Sequence, residues 1–130
     1  MKDLKVQLDN LVKTVQQDNE ILALFLFGSM ARGDNHKASD ADICLVLSPR
    51  RYLPLELSEK KLEYLKLFDM DVQIFQQLPI YIRMRIIKEA KLLFCAAEEE
   101  LYQIVFNTIT EFEDYAHIYR DYLKEIANVG

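Results

Sequence analysis

Ile21-Leu22-Ala23-Leu24-Phe25-Leu26-Phe27-Gly28-Ser29, ten residues, then Asp40-Ala41-Asp42 and Ile43-Cys44-Leu45-Val46-Leu47: the fold of this chain is read outward from here. Both apolar runs are shorter than an ordinary helix and carry no polar face. That is the pattern of strands buried on both sides. Gly28-Ser29 stops the first run and Ser48-Pro49 the second. Between them, Met30-Ala31-Arg32-Gly33 reads as one helical turn closed by glycine. Residues 34–40 read as a polar loop.

Upstream, Leu4, Leu8, Leu11, Val12 and Val15 recur at three-to-four spacing and predict an amphipathic helix over residues 2–17, broken at Asp18-Asn19. Downstream, residues 50–57 read as irregular around Pro54, and Ser58 as the N-cap of a helix from Glu59 to Leu67. Asp71 to Phe75 alternates in polarity and predicts a third strand. Pro79 opens a helix reaching about Glu89, and residues 91–94 suit a short fourth strand. From Glu98 to about Ala127 the spacing of Leu101, Val105, Thr108, Phe112, Tyr115, Tyr119, Leu123 and Ile126 predicts one long helix. No repeat or linker interrupts this order. The expectation is a single α/β (α+β) domain over residues 1–130, its core at about 20–94. A small mixed sheet is flanked by helices, and a helical extension covers about 97–128.

The composition is that of a globular chain, 51% hydrophobic and 28% charged. The longest apolar run, Ile21 to Phe27, is far below the ~18 residues that span a bilayer. Met1-Lys2-Asp3-Leu4-Lys5 does not resemble a secretory leader. Cys44 and Cys95 are isolated in apolar stretches, without metal-ligand spacing, and read as buried reduced thiols. A cytoplasmic protein is expected. The net charge of −5 argues against a chain that grips nucleic acid directly.

The chemistry concentrates in three places. Gly28-Ser29 follows a buried strand and precedes a helical turn. Glycine lets backbone approach a phosphate, and a helix N-terminus adds N–H donors and a partial positive field. Alone, such a pair is most often just a turn. Asp40 and Asp42 alternate on a strand, so their carboxylates project together. Like charges so close resist burial, and a divalent cation with a preference for hard oxygen, such as magnesium, resolves the repulsion. The plain alternative is a loop-capping Asp40 and a solvated Asp42. Asp71 opens the next strand and is the candidate third carboxylate; Asp69 is its rival. Together, a phosphate-cradling turn and three carboxylates suit two-metal phosphoryl transfer, with one ion on the triphosphate and one at the attacking hydroxyl.

Gly28-Ser29-Met30-Ala31-Arg32-Gly33, the spacing to Asp40-Ala41-Asp42, and Asp71-Val72 resemble the polymerase-β-like nucleotidyltransferases, and among them the minimal nucleotidyltransferase (MNT) group. Leu78-Pro79, Arg83 and Ile86-Ile87-Lys88-Glu89-Ala90 are similar to the helix after the third aspartate strand of that group. The tail, Phe112 to Leu123, resembles the MntA-like antitoxin branch that pairs with HEPN toxins. The resemblance implies a polymerase-β-like fold and transfer of AMP from ATP to a tyrosine of a HEPN-family ribonuclease toxin, which neutralises it. It implies that Gly28 and Ser29 hold the triphosphate, with Arg32 bracing the turn or reaching a phosphate. It implies that Asp40, Asp42 and Asp71 are catalytic and hold two Mg2+ ions. Two other functions stay open: transfer to a small molecule of the aminoglycoside kind, and an antitoxin acting by binding alone.

Of the remaining polar residues, His36 and Lys37 read as solvated loop, and Arg50-Arg51 as solvated surface. Arg83 and Arg85 face either nucleotide or partner. Tyr115, Tyr119 and Tyr122 form an aromatic stripe that reads either as core or as the contact for the HEPN-domain partner.

Overall fold

The computed structural model describes residues 4–28 and 41–129. Its elements run α1 (Leu4–Gln16), β1 (Ile21–Phe27), β2 (Asp42–Leu47), α2 (Pro54–Leu67), β3 (Asp71–Ile74), α3 (Ile80–Glu89), β4 (Lys91–Cys95) and α4 (Glu98–Val129). A 3-10 turn over Phe75–Gln77 links β3 to α3. The predicted turn at 30–33 and loop at 34–40 lie outside the described residues.

The four strands form one mixed sheet in the order β3-β2-β1-β4. β1 pairs antiparallel with β2 and with β4, while β2 and β3 are parallel. The two inner strands are the two apolar runs, and burial on both faces explains why neither alternates in polarity. Ile43, Leu45 and Leu47 of β2 face one layer of core with Leu11 and Val15 of α1 and Tyr64 of α2. Cys44 and Val46 face the other layer, with Ile86 of α3 and Leu101 of α4. The sheet is thus covered by α1 and α2 on one side and by α3 and α4 on the other.

One expectation fails. Residues 54–58 are helical, and Ser58 is not the N-cap of α2. Pro54 supplies the first helical φ, and the Glu56 carboxylate accepts the Leu53 N–H at 3.0 Å. Asp69 lies in a bend before β3 rather than in the strand. The thiols differ from each other. Cys44 is fully buried, and burial pushes its thiol well above the usual range, whereas Cys95 is only half-buried; both are free.

At the end of the sheet where β1 starts, Asp18, Lys60 and Tyr64 tie the α1–β1 turn to α2. Lys60 Nζ donates to Asp18 Oδ2 at 3.0 Å, and the Tyr64 hydroxyl donates to the same oxygen at 2.9 Å. Glu20 and Glu63 lie 3.4 and 3.2 Å from the same ammonium. Burial raises the Asp18 pKa, but hydrogen bonds from Lys60, Tyr64 and the Glu20 N–H outweigh it and hold the carboxyl below its usual value. Burial lowers the Lys60 pKa, and its carboxylate partners more than reverse that. Arg50 pairs with Glu20 and Glu56 at this same end, so it belongs to this clamp.

Candidate active site

The opposite end of the sheet carries the aspartates. The register places Phe27 across from Asp42, and Asp42 across from Asp71. Residues directly opposite on neighbouring strands share a face. Because Ile43 and Val72 both enter the α1/α2 core, Asp42 and Asp71 project on the other face, the one α3 and α4 cover further along the strands. The Asp71 N–H donates to the Ala41 carbonyl at 3.0 Å, which extends the parallel ladder by one bond and locks the two aspartates side by side. Asp42 is half-buried and Asp71 is exposed. Gln73 Nε2 donates weakly to Asp71 Oδ1 at 3.4 Å.

Gly28 closes β1 beside Asp42. Its φ is +77°, and a Cβ there would collide with Asp42 Oδ2 and lie 3.4 Å from Asp42 Cγ. Glycine is therefore demanded twice, once by the backbone and once by the carboxylate. The backbone at the end of β1 presses close to the acidic pair, which suits a site where a phosphate and a cation meet. Asp40, Ser29 and Arg32, like His36 and Lys37, lie outside the described residues. Among the described residues, Asp42, Asp71 and Gly28 come together.

A cleft of about 180 Å³ adjoins Gly28, lined by Phe27, Ile82, Arg85, Ile86 and Glu89. No local signal in the sequence singles out Ile82 or Glu89, because a helix residue's proximity to the end of a distant strand is a tertiary matter. Arg83 does not face this cleft. Its Nε donates to the Leu78 carbonyl at 3.0 Å, and its two terminal nitrogens reach Glu111 at 3.2 Å. It is a strut between α3 and α4, whereas Arg85 lines the cleft beside Gly28.

The polymerase beta nucleotidyltransferase family model matches residues 9–99. The chain belongs to the polymerase beta nucleotidyltransferase family. The matched span runs from within α1 through β4 and so contains the whole sheet. As a nucleotidyltransferase of this family it is an α/β protein with a long C-terminal helix. A protein of Methanocaldococcus jannaschii that carries the provisional name protein adenylyltransferase is 36% identical over 109 residues, 83% of this chain and 77% of its own. Among solved structures, a chain of the tri-AMPylated Shewanella oneidensis HEPN toxin in complex with MNT antitoxin superposes with a TM-score of 0.64 at 14% identity, covering 95% of this chain and 98% of that one. A chain of a toxin–antitoxin structure with AMP-PNP gives 0.63 at 18% identity, covering 91% and 97%. At such identities these two structures speak for the fold.

This nucleotidyltransferase extends α4 well past its body. The helix has 32 residues and is about 48 Å long. Leu101, Val105, Thr108, Phe112, Tyr115, Tyr119, Tyr122 and Ile126 alternate by four and three, the seam of a helix that packs on another helix. Leu101 and Thr108 are buried against the body, but Tyr115, Tyr119 and Tyr122 are 57%, 54% and 59% exposed. Tyr115 and Tyr119 stack, with ring centroids 6.5 Å apart. The stripe is therefore not core. No helix among the described residues is long and apolar enough to cross a membrane.

Proposed function

We propose that this chain is a protein adenylyltransferase antitoxin that transfers AMP from ATP to a tyrosine of a HEPN-domain ribonuclease toxin. The observation that carries the reading is the side-by-side Asp42 and Asp71, with Gly28 lacking room for a Cβ against Asp42, at the strand ends of a nucleotidyltransferase sheet. The relative named for protein adenylylation, and the toxin–antitoxin complexes with the same fold, direct the transfer to a protein acceptor.

In this reading Gly28 and Ser29 cradle the triphosphate through backbone N–H groups, and Arg32 braces that turn or reaches a phosphate. Asp40, Asp42 and Asp71 hold Mg2+, two ions in the full site. The donor set fits: all are hard oxygens of the kind Mg2+ prefers, and the register sets two of the carboxylates side by side. The metal supplies Lewis-acid charge neutralisation at the reacting phosphate. Asp71, exposed at the outer strand of the pair, faces the incoming acceptor. The tyrosine oxygen bonds to the α-phosphorus, the bond to the β-phosphate bridging oxygen breaks, and pyrophosphate leaves with that electron pair. The phenol, with a pKa of about 10, surrenders its proton toward Asp71 or solvent. The bare half of α4, with Tyr115, Tyr119 and Tyr122, docks the toxin.

That same bare seam favours a second reading, in which the antitoxin neutralises by contact alone. Co-expression with the HEPN-domain partner, followed by intact mass of both chains, separates the two. Wild type should add one AMP mass or a multiple to the partner, and Asp42→Asn with Asp71→Asn should add none. A stable complex without any mass gain on the partner from wild type would leave only the contact reading. Turnover of a small hydroxylated acceptor in place of the protein would replace both.

A further inference from the structure

We propose that Arg85 is the protein cation that grips the terminal phosphates of the nucleoside triphosphate, releasing Glu89 to do so. The inference rests on the transferase reading above and concerns a residue that the Gly-Ser and aspartate motifs do not contain.

The argument begins with direction. Displacement at phosphorus is in line, so acceptor and leaving group sit on opposite sides of the α-phosphate. With Asp71 on the acceptor side and Gly28 on the phosphate side, the sheet order β3-β2-β1 lays the reaction axis across the strands. The pyrophosphate portion then lies over the end of β1. The cleft lined by Phe27, Gly28, Ile82, Arg85, Ile86 and Glu89 opens at that place. Charge makes the second point. The carboxylates of β2 and β3 consume much of the positive charge of any bound cation, so a triphosphate brings an excess of negative charge to the end of β1. Among the described residues lining the cleft, Arg85 is the one cation.

Its present partner is loosely held. Arg85 Nη2 lies 3.7 Å from Glu89 Oε2, one helical turn away, and the two side chains are 67% and 62% exposed. Such a pair contributes little and exchanges readily. A guanidinium matches phosphate oxygens with two parallel N–H donors, which a single long contact to Glu89 does not use. Phe27, Ile82 and Ile86 line the same cleft, and apolar walls lower the local dielectric, which strengthens a charge pair made there. Arg83, two residues earlier on α3, is committed to Leu78 and Glu111 and cannot substitute.

The test is calorimetric titration of the full chain with ATP, ADP and AMP, each with Mg2+ and without acceptor. Wild type should bind ATP more tightly than AMP. Arg85→Ala should weaken ATP about 10- to 100-fold while leaving AMP within about twofold, and Arg85→Lys should recover part of the loss. Glu89→Gln should tighten ATP by about twofold or more, because it removes the competing carboxylate. The exposed position of Arg85 predicts unchanged thermal melting in all three variants. If wild type binds ATP and Arg85→Ala binds it equally well, or loses ATP and AMP alike, Arg85 does not hold the phosphate tail and this inference alone falls. If wild type binds no nucleotide, the transferase reading falls and takes the inference with it.

Discussion

Gly28→Ala should damage this protein twice, and the two injuries can be separated. The φ of +77° at Gly28 belongs to the left-handed region, which costs an L-residue roughly 1–2 kcal/mol. The new Cβ also overlaps Asp42 Oδ2, so the carboxylate must swing away from its place beside Asp71. For a domain of this size the backbone cost alone lowers Tm by about 4–7 °C. If Asp42 has the role proposed above, displacing its carboxylate by about 1 Å should lower turnover on the order of 10²-fold. The assay pairs thermal melting with AMP transfer to the partner for four proteins: wild type, Gly28→Ala, Asp42→Ala, and the double variant. Asp42→Ala removes the group that the Cβ strikes. The double variant should therefore be less destabilised than the two single losses added together, and its transfer rate should match Asp42→Ala. A Gly28→Ala protein that melts and turns over like wild type would refute the geometry. Strictly additive melting losses would show that Asp42 is not what the Cβ meets.

Asp71→Asn should melt like wild type, since its carboxylate is exposed, yet reduce AMP transfer by about 10²-fold or more, measured by intact mass over time. Lys60→Met should lower stability by about 1.5–3 kcal/mol in denaturant titration and leave transfer intact, because the clamp lies at the far end of the sheet from Asp42. The pH dependence has two limbs. The depressed pKa of Asp18 gives stability that is fully present above the normal carboxylate value and disappears as pH falls through the folded value, so Asp18→Asn should flatten the loss of stability below about pH 4. The raised pKa of Lys60 gives stability present below its unfolded value and lost only as pH climbs through the folded one, above about pH 10. Tyr115→Ala with Tyr119→Ala should weaken partner binding in a pull-down or calorimetric titration without changing Tm, since neither ring packs on the body.

Much of this was legible along the chain. β1 and β2 declared themselves because a central strand covered on both faces has no polar alternation to confuse it, and glycine or proline ends each. Gly28 and Asp42, singled out in the sequence as parts of one site, do lie against each other at one end of the sheet. The start of α2 was not legible, because Pro54 signals a break and a helix start equally, and what decides is the Glu56 carboxylate folding back onto the Leu53 N–H. Arg83 and Arg85 look interchangeable in the sequence, but a half-turn of helix sends one to Glu111 and the other to the cleft.

The sequence by itself determined the local matters: which segments are strands, where a backbone without Cβ is needed, which aspartates open strands, and the seam of α4. Tertiary structure decided what depends on elements distant in the chain. Parallel pairing brought Asp71, not Asp69, level with Asp42, because which residues of two strands stand opposite each other is fixed only when the strands pair, with Val72 and Ile43 entering the same core layer. It also divided one uniform α4 seam into a half that rests on α3 and a half that stands bare. The heptad spacing is the same in both halves, and only the extent of the body beneath the helix tells them apart.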